Sequence, residues 1–78
     1  MRAIIRFSVD GDLNGALTNN LRKVLEDSSY ARLPNTATYE NQDLNAAEHA
    51  VILEAFWDTV ANHPGQGTID HFWMYTDE

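Results

Sequence analysis

The chain has 78 residues and no cysteine, so we expect a single domain, residues 1–78, with neither disulfide bonds nor thiolate metal sites. Hydrophobic residues make up 44% of it, which argues against a disordered chain in spite of a formal net charge of -7. All five basic residues precede position 33, and an acidic second half repels phosphate groups, so we do not expect nucleic acid as a partner. The acidic surface either only keeps the protein soluble or faces a basic partner.

The sequence contains no candidate membrane segment. Residues 46–61 form the longest apolar stretch of the second half, but they are too few and too charged to cross a bilayer. Residues 1–10 lack the pattern of a signal peptide, because Arg6 and Asp10 enclose only a short apolar run. We therefore expect a soluble cytoplasmic protein without a membrane contact.

The first predicted elements are a strand and a helix. Side chains alternate over residues 3–9, which is the period of a strand with one buried face. That face would consist of Ala3, Ile5, Phe7 and Val9. A helix follows, capped by Asp12 or Asn14 and ended by the polar segment 27–29. Apolar residues at helical spacing predict its buried stripe, namely Leu13, Leu17, Leu21, Val24 and Leu25.

The second half predicts one or two strands, a helix and a final strand. Residues 31–40 indicate either one kinked strand or a hairpin, with a turn at Pro34 and Asn35. Asn45 and Glu48 have the spacing of a capping box, so a helix should begin near Asn45 and end before Pro64. Its predicted buried stripe is Ala46, Ala50, Leu53, Trp57 and Val60, widened by Val51, Ile52 and Phe56. Residues 68–76 are rich in aromatic side chains and favour a closing strand.

This order of elements predicts an α+β fold of the ferredoxin-like class, a two-layer sandwich in which two helices cover one face of a small antiparallel sheet. The other face would carry Arg2, Ile4 and Arg6, together with either Phe72 and Met74 or His71, Trp73 and Tyr75. Both sets leave apolar or aromatic side chains uncovered, and such a patch on a small domain usually marks an interface. We expect a homodimer formed through the sheet.

The segment DGDLNG places Asp10, Asp12, Asn14 and Gly15 where an EF-hand calcium loop has its first ligands and its glycine. The twelfth position, which requires glutamate, is Leu21, and a strand precedes the segment where an EF-hand has a helix. A turn in which Asp12 caps the helix is therefore the preferred interpretation. The alternative is a divalent metal ion held weakly by Asp10 and Asp12, and we expect no other cofactor.

Three segments are similar to those of a known group of small ferredoxin-like proteins. They are the first strand IIRFSVD, which ends at Asp10, the strand that ends in TATYE, and the closing strand DHFWMY. This pattern resembles the CRISPR-associated Cas2 nuclease-like subunits and the VapD toxins. The resemblance implies a dimer in which Asp10 takes part in metal-dependent cleavage of nucleic acid. Nuclease-like members also carry basic residues directly after that aspartate, whereas the next basic residue here is Arg22.

We predict a small acidic interaction or regulatory module rather than an enzyme, with the profile of a phage or mobile-element product. It would dimerise through its sheet and bind a basic or hydrophobic partner. The residues expected to contact partners are Glu48, Glu54 and Asp58 on the second helix and Arg2, Arg6, Trp73 and Tyr75 on the open sheet face. One alternative is a divalent-metal-dependent endoribonuclease of the Cas2 or VapD type with Asp10 as its catalytic residue. Another is a nucleic-acid mimic that occupies a groove of a basic partner.

Overall fold

The computed structural model describes residues 1–34 and 36–78 and contains four strands and two α-helices. In chain order these are β1 (Arg2–Asp10), α1 (Ala16–Asp27), β2 (Ala31–Arg32), β3 (Thr38–Asn41), α2 (Ala46–Ala61) and β4 (Thr68–Asp77). A short 3-10 turn, Leu13–Gly15, links β1 to α1. Residues 31–40 thus form a hairpin of two short strands, which was one of the two alternatives. The predicted turn in that hairpin falls partly on Asn35, which lies outside the described residues.

The strands form one antiparallel sheet in the order β2-β3-β1-β4, with β1 between β3 and β4. One face of β1 is buried and consists of Ala3, Ile5 and Phe7. Arg6 and Ser8 lie on the opposite face and are exposed. Both helices therefore cover the same face of the sheet, and the other face is open. The fold is the predicted ferredoxin-like two-layer sandwich.

The core lies between the sheet and the helices. α1 contributes Leu17, Leu21 and Leu25, which recur at every fourth position and are completely buried. Phe56 of α2 is also completely buried, and its ring centroid lies 5.3 Å from that of Phe7 and 5.3 Å from that of Phe72. Such edge-on and tilted aromatic contacts are favourable beyond the apolar area that they bury. Phe56 therefore joins α2 to the central strand β1 and to the edge strand β4.

Two details of the predicted helix faces are wrong. Leu13 is 69% exposed, because Asn14 and Gly15 have positive φ angles (64° and 67°) that break the helical phase before α1 begins. On α2, Ile52 and Phe56 are buried, whereas members of the predicted stripe such as Trp57 are exposed. The same is true of Ala46 and Ala50, while Leu53 and Val60 are half-buried against the core. Since apolar residues surround α2 on most sides, their spacing alone did not select its buried face.

The predicted capping box begins α2. The Asn45 side chain accepts a hydrogen bond from the Glu48 backbone N–H at 2.8 Å, and the Glu48 carboxylate accepts one from the Asn45 backbone N–H at 3.0 Å. This reciprocal pair satisfies two backbone donors that a helix leaves free at its N-terminus. The carboxylate of Glu48 consequently has a structural role in addition to its charge.

Candidate functional site

The open face of the sheet carries the side chains of alternate residues from β1 and β4. The register pairs Arg2 with Asp77, Ile4 with Tyr75, Arg6 with Trp73 and Ser8 with His71. Directly opposed residues of neighbouring strands lie on the same face of a sheet. The second of the two predicted sets, His71, Trp73 and Tyr75, is therefore the one on the open face. Phe72 and Met74 point to the helix side.

Trp73 and Tyr75 form an exposed aromatic pair on this open face. Their rings are nearly parallel, with an angle of 6° between the planes and 6.2 Å between the centroids. Arg6 lies on the neighbouring strand β1, on the same face. Its guanidinium carbon is 5.8 Å from the centroid of the Trp73 ring, which is within the range of a cation–π contact. Trp73 is 43% exposed and Tyr75 is 44% exposed. These aromatic side chains thus stack on each other while leaving much of their surface in water.

Arg2, although on the same face, is engaged within the sheet. Its guanidinium donates to the carboxylate of Asp77 at 2.7 and 3.2 Å and lies 3.5 Å from Glu40. The hydrogen bond from Arg2 lowers the pKa of Asp77, and the same bond raises the pKa of Arg2. Among the described residues, no carboxylate lies within ion-pair distance of Arg6. Of the two predicted contact arginines, Arg6 is therefore the better placed to meet a partner.

β4 is an edge strand. It pairs with β1 along one side, and no described strand lies along its other side. The register skips Asp70, which forms a bulge between the pairs of Ser8 with His71 and Val9 with Ile69. Beyond the bulge the strand is regular, and Met74 on its helix side is 40% exposed. Sequence reasoning named Met74 only as a member of the alternative set with Phe72, and it did not predict that Met74 would be exposed on the helix side.

Asp12, a predicted metal ligand, holds the start of α1. Its carboxylate accepts hydrogen bonds from the backbone N–H of Leu17 at 3.0 Å and of Thr18 at 2.8 Å, and from the Thr18 hydroxyl at 2.7 Å. The bond from the Thr18 backbone is the main reason why the pKa of Asp12 is lowered. The interpretation of DGDLNG as a turn capped by Asp12 is confirmed.

Asp10, the other predicted ligand and the predicted catalytic residue, is exposed at the end of β1, where it pairs with Thr68. Within residues 1–34 and 36–78, no cluster of three or more histidine, aspartate or glutamate side chains could hold a metal ion. A weak site of only two carboxylates, Asp10 and Asp12, stays a prediction from the sequence.

The predicted acidic contact residues of α2 fall on two different surfaces. Glu54 and Asp58 are exposed and lie one helical turn apart, so they share one side of the helix. Glu48 lies in the first turn, where its carboxylate takes part in the capping box. It also lines an open groove of about 500 Å³ between the end of α1, the end of β3 and the start of α2.

This groove combines acidic and apolar side chains. Asp27, Asp43 and Glu48 contribute carboxylates, and Leu44, Val51 and Ile52 contribute apolar surface. Asp27 is also the last residue of α1, where the helix dipole adds negative potential. Sequence reasoning missed the groove because Asp27 and Asp43 lie on different elements that meet only in the folded chain.

Comparisons of the chain with models of protein families, with curated proteins and with solved structures found no match. The relationship to the Cas2 and VapD proteins therefore stays a prediction from the sequence. Neither described helix has the length and apolar character that a membrane span requires.

Proposed function

We propose that the protein is a small non-enzymatic interaction module that forms a homodimer through its sheet and binds a basic or hydrophobic partner through its acidic surface. The exposed pair of Trp73 and Tyr75 is the observation that carries this proposal. Tryptophan and tyrosine are the residues most enriched among those that dominate binding energy at interfaces. The stacked geometry already brings the two rings together, so a partner can cover both with one flat surface.

Dimerisation would bury apolar surface that the folded chain leaves in water. Trp73, Met74 and Tyr75 are consecutive, and each is at least 40% exposed. They therefore present apolar surface on both sides of the strand at one place along its edge. A chain of 78 residues has a small core, and burial of such side chains in a second copy would add to it.

The distribution of charge supports a basic partner. Arg2 and Arg22 are paired with carboxylates of the same chain, at 2.7 Å to Asp77 and 3.6 Å to Glu26. The carboxylates that line the groove, and those of Glu54 and Asp58, have no such compensation among the described residues. A surface of one sign attracts partners of opposite sign and increases their rate of association.

Sedimentation velocity of the Trp73→Ala/Tyr75→Ala variant tests the proposal. We expect the variant to be monomeric at concentrations where the wild type is a dimer. Its dissociation constant should be at least about tenfold higher, because the loss of each side chain can reduce the free energy of dimerisation by more than about 1.4 kcal/mol. Val51→Ala is the matched control, since Val51 is an exposed apolar residue (66%) away from the sheet. The proposal would be contradicted if the wild type and both variants had the same dissociation constant.

A further inference from the structure

We infer that the dimer forms edge to edge, with β4 of one copy paired antiparallel to β4 of a second copy about a two-fold axis beside Met74. This inference rests on the dimer of the proposed function and specifies its interface. The result would be one continuous sheet through both copies, in which the open faces lie side by side and stay accessible.

The outer edge of β4 is suited to pairing. An unpaired edge presents backbone N–H and C=O groups that template another strand, and proteins usually protect it with lysine, proline, a bulge or a covering element. The bulge at Asp70 protects only the first part of β4. The regular segment from His71 to Asp77 contains neither lysine nor proline. Among the described residues, no strand covers its outer side.

Symmetry restricts the register of such a pair. Opposed residues of two paired strands must lie on the same face of the sheet, and successive residues of a strand alternate between the two faces. A residue can therefore oppose only its own copy or a residue an even number of positions away. It follows that a two-fold axis normal to the sheet must pass beside a residue that opposes its own copy. Met74 is the midpoint of the regular segment His71–Asp77. An axis there pairs the whole regular segment with itself and leaves the bulged Asp70 outside it.

This register matches side chains on both faces. On the open face, Trp73 would oppose the partner's Tyr75, and Tyr75 would oppose the partner's Trp73, which extends the aromatic pair into a row across the interface. His71 would oppose the partner's Asp77, so no two carboxylates oppose each other within the segment. On the helix side, Met74 would oppose its own copy, and Phe72 would oppose the partner's Thr76. Aromatic cross-strand pairs are among the favourable ones.

Neighbouring registers fit less well. An axis beside Trp73 would bring the bulged Asp70 into the ladder opposite the partner's Thr76. An axis beside Tyr75 would place Trp73 opposite the partner's Asp77 and shorten the paired segment. The axis beside Met74 combines the longest regular ladder with apolar or oppositely charged pairs.

Edge pairing also avoids the cost of packing the two open faces together. That face carries Arg2, Arg6, Glu40 and Asp77. Burial of a charged group costs roughly several kcal/mol unless the group is paired with an opposite charge. In the edge-to-edge dimer these side chains stay in water, and the exposed aromatic side chains still gain contacts.

Single-cysteine variants test this register, because the chain has no cysteine of its own. In the proposed dimer the two Cα atoms of position 74 lie about 4.5–5.5 Å apart, which is within the range of a disulfide. We expect Met74→Cys to form a cross-linked dimer readily under mild oxidation. Thr76→Cys lies on the same face of the same strand, but its copies would be more than about 10 Å apart, so it should not cross-link. Val51→Cys gives the rate of random collision.

The outcomes separate this inference from the proposed function when each variant is also examined by sedimentation without oxidant. Rapid cross-linking of Met74→Cys alone, with all variants dimeric, supports the edge-to-edge register. Dimeric variants in which Met74→Cys cross-links no faster than Val51→Cys would overturn the register and leave the dimer in place. A monomeric wild type would overturn both.

Discussion

The carboxylate of Asp12 accepts hydrogen bonds from both the backbone N–H and the hydroxyl of Thr18, at 2.8 and 2.7 Å. A third bond from the Leu17 backbone N–H completes the contact with the start of α1. These bonds favour the ionised carboxylate, in which both oxygens are acceptors, and they lower its pKa below the ordinary value of 3.8. These bonds also explain why the segment DGDLNG, which resembles part of an EF-hand loop, leads into the N-terminus of α1.

We expect Asp12 to make the stability of the protein depend on pH. A carboxyl whose pKa is lowered by folding stabilises the folded state fully above its unfolded pKa, and this contribution is lost as the pH falls through the folded pKa. The free energy of unfolding of the wild type should therefore decrease as the pH falls through and below the ordinary carboxyl pKa of 3.8. Asp12→Asn should flatten this decrease, because the amide does not titrate, although its single oxygen replaces only one of the two acceptor oxygens of Asp12. Urea denaturation at several pH values measures both curves.

Asp10→Asn is the control for this experiment, since Asp10 is exposed on the same segment. It should retain the pH dependence of the wild type. Equal slopes for the wild type and for Asp12→Asn would show that the contact of Asp12 with α1 does not contribute to folding. Asp77, whose pKa is lowered mainly by its hydrogen bond from Arg2, should account for part of the slope that remains.

Phe56→Ala should lower the free energy of unfolding by about 3–5 kcal/mol, because it leaves a cavity among completely buried side chains. Phe56 touches Phe7 and Phe72, so the loss affects the contacts of α2 with both β1 and β4. Trp57→Ala, at the next position on α2 and 41% exposed, should cost less in spite of the larger side chain. Urea denaturation of both variants checks the order, and a larger loss for Trp57→Ala would contradict the assigned core face of α2.

The part of this architecture that the sequence predicted is the part set by local chemistry. Alternation along β1 identified its buried face, because a strand in a two-layer fold has one apolar side. The spacing of Asn45 and Glu48 identified the start of α2, since a capping box depends on residues three positions apart. For the last strand, only pairing with β1 decided which side chains are exposed, and the sequence left both sets open.

The failures have long-range causes. α2 carries apolar residues around most of its surface, so only its contact with Phe7 and Phe72 shows that Phe56 is inward. The groove depends on Asp27 and Asp43 meeting across two elements. Met74 is exposed although it lies on the helix side of β4, which is an edge strand. None of these relations has a signature in the spacing of neighbouring residues.

Reversal of charge at Glu54 and Asp58 should weaken binding of a basic partner while the fold is retained. We expect Glu54→Lys/Asp58→Lys to lose the basic proteins that the tagged wild type enriches from a cell lysate, as measured by quantitative mass spectrometry. Glu48 should be changed only to glutamine, which keeps the capping box and removes the charge. Reversal of Asp27 and Asp43 tests the groove separately.

Asp10→Lys/Asp70→Lys is the matched control for these reversals, because it changes the net charge equally at exposed positions that do not line the groove and do not lie on α2. It should retain the partners of the wild type. Unchanged capture by the reversals in α2 and in the groove would reject both as contact surfaces. Competition of the captured partner by DNA would favour the alternative of nucleic-acid mimicry.

The ribonuclease alternative makes the opposite claim about Asp10. We expect the purified wild type, incubated with RNA and Mg²⁺ or Mn²⁺, to cleave RNA no more than the Asp10→Ala variant does. Denaturing gels of the RNA measure this cleavage. Asp10 pairs with Thr68, which is six residues before Met74 on β4. At about 3.3 Å per residue, Asp10 lies roughly 20 Å from the two-fold axis of the edge-to-edge dimer. The two copies of Asp10 in that dimer would therefore not share a metal ion. Metal-dependent cleavage that disappears in Asp10→Ala would establish the enzyme instead.

The mass of the wild-type protein in solution tests the central claim most directly. Sedimentation equilibrium at physiological salt, over a range of micromolar concentrations, should show reversible association from a chain of 8.8 kDa to a species of twice that mass. Screening of the charge repulsion between two acidic chains should strengthen this association as salt is raised. A single species of 8.8 kDa at every concentration and salt level would contradict the proposal that the exposed sheet is an interface between two copies.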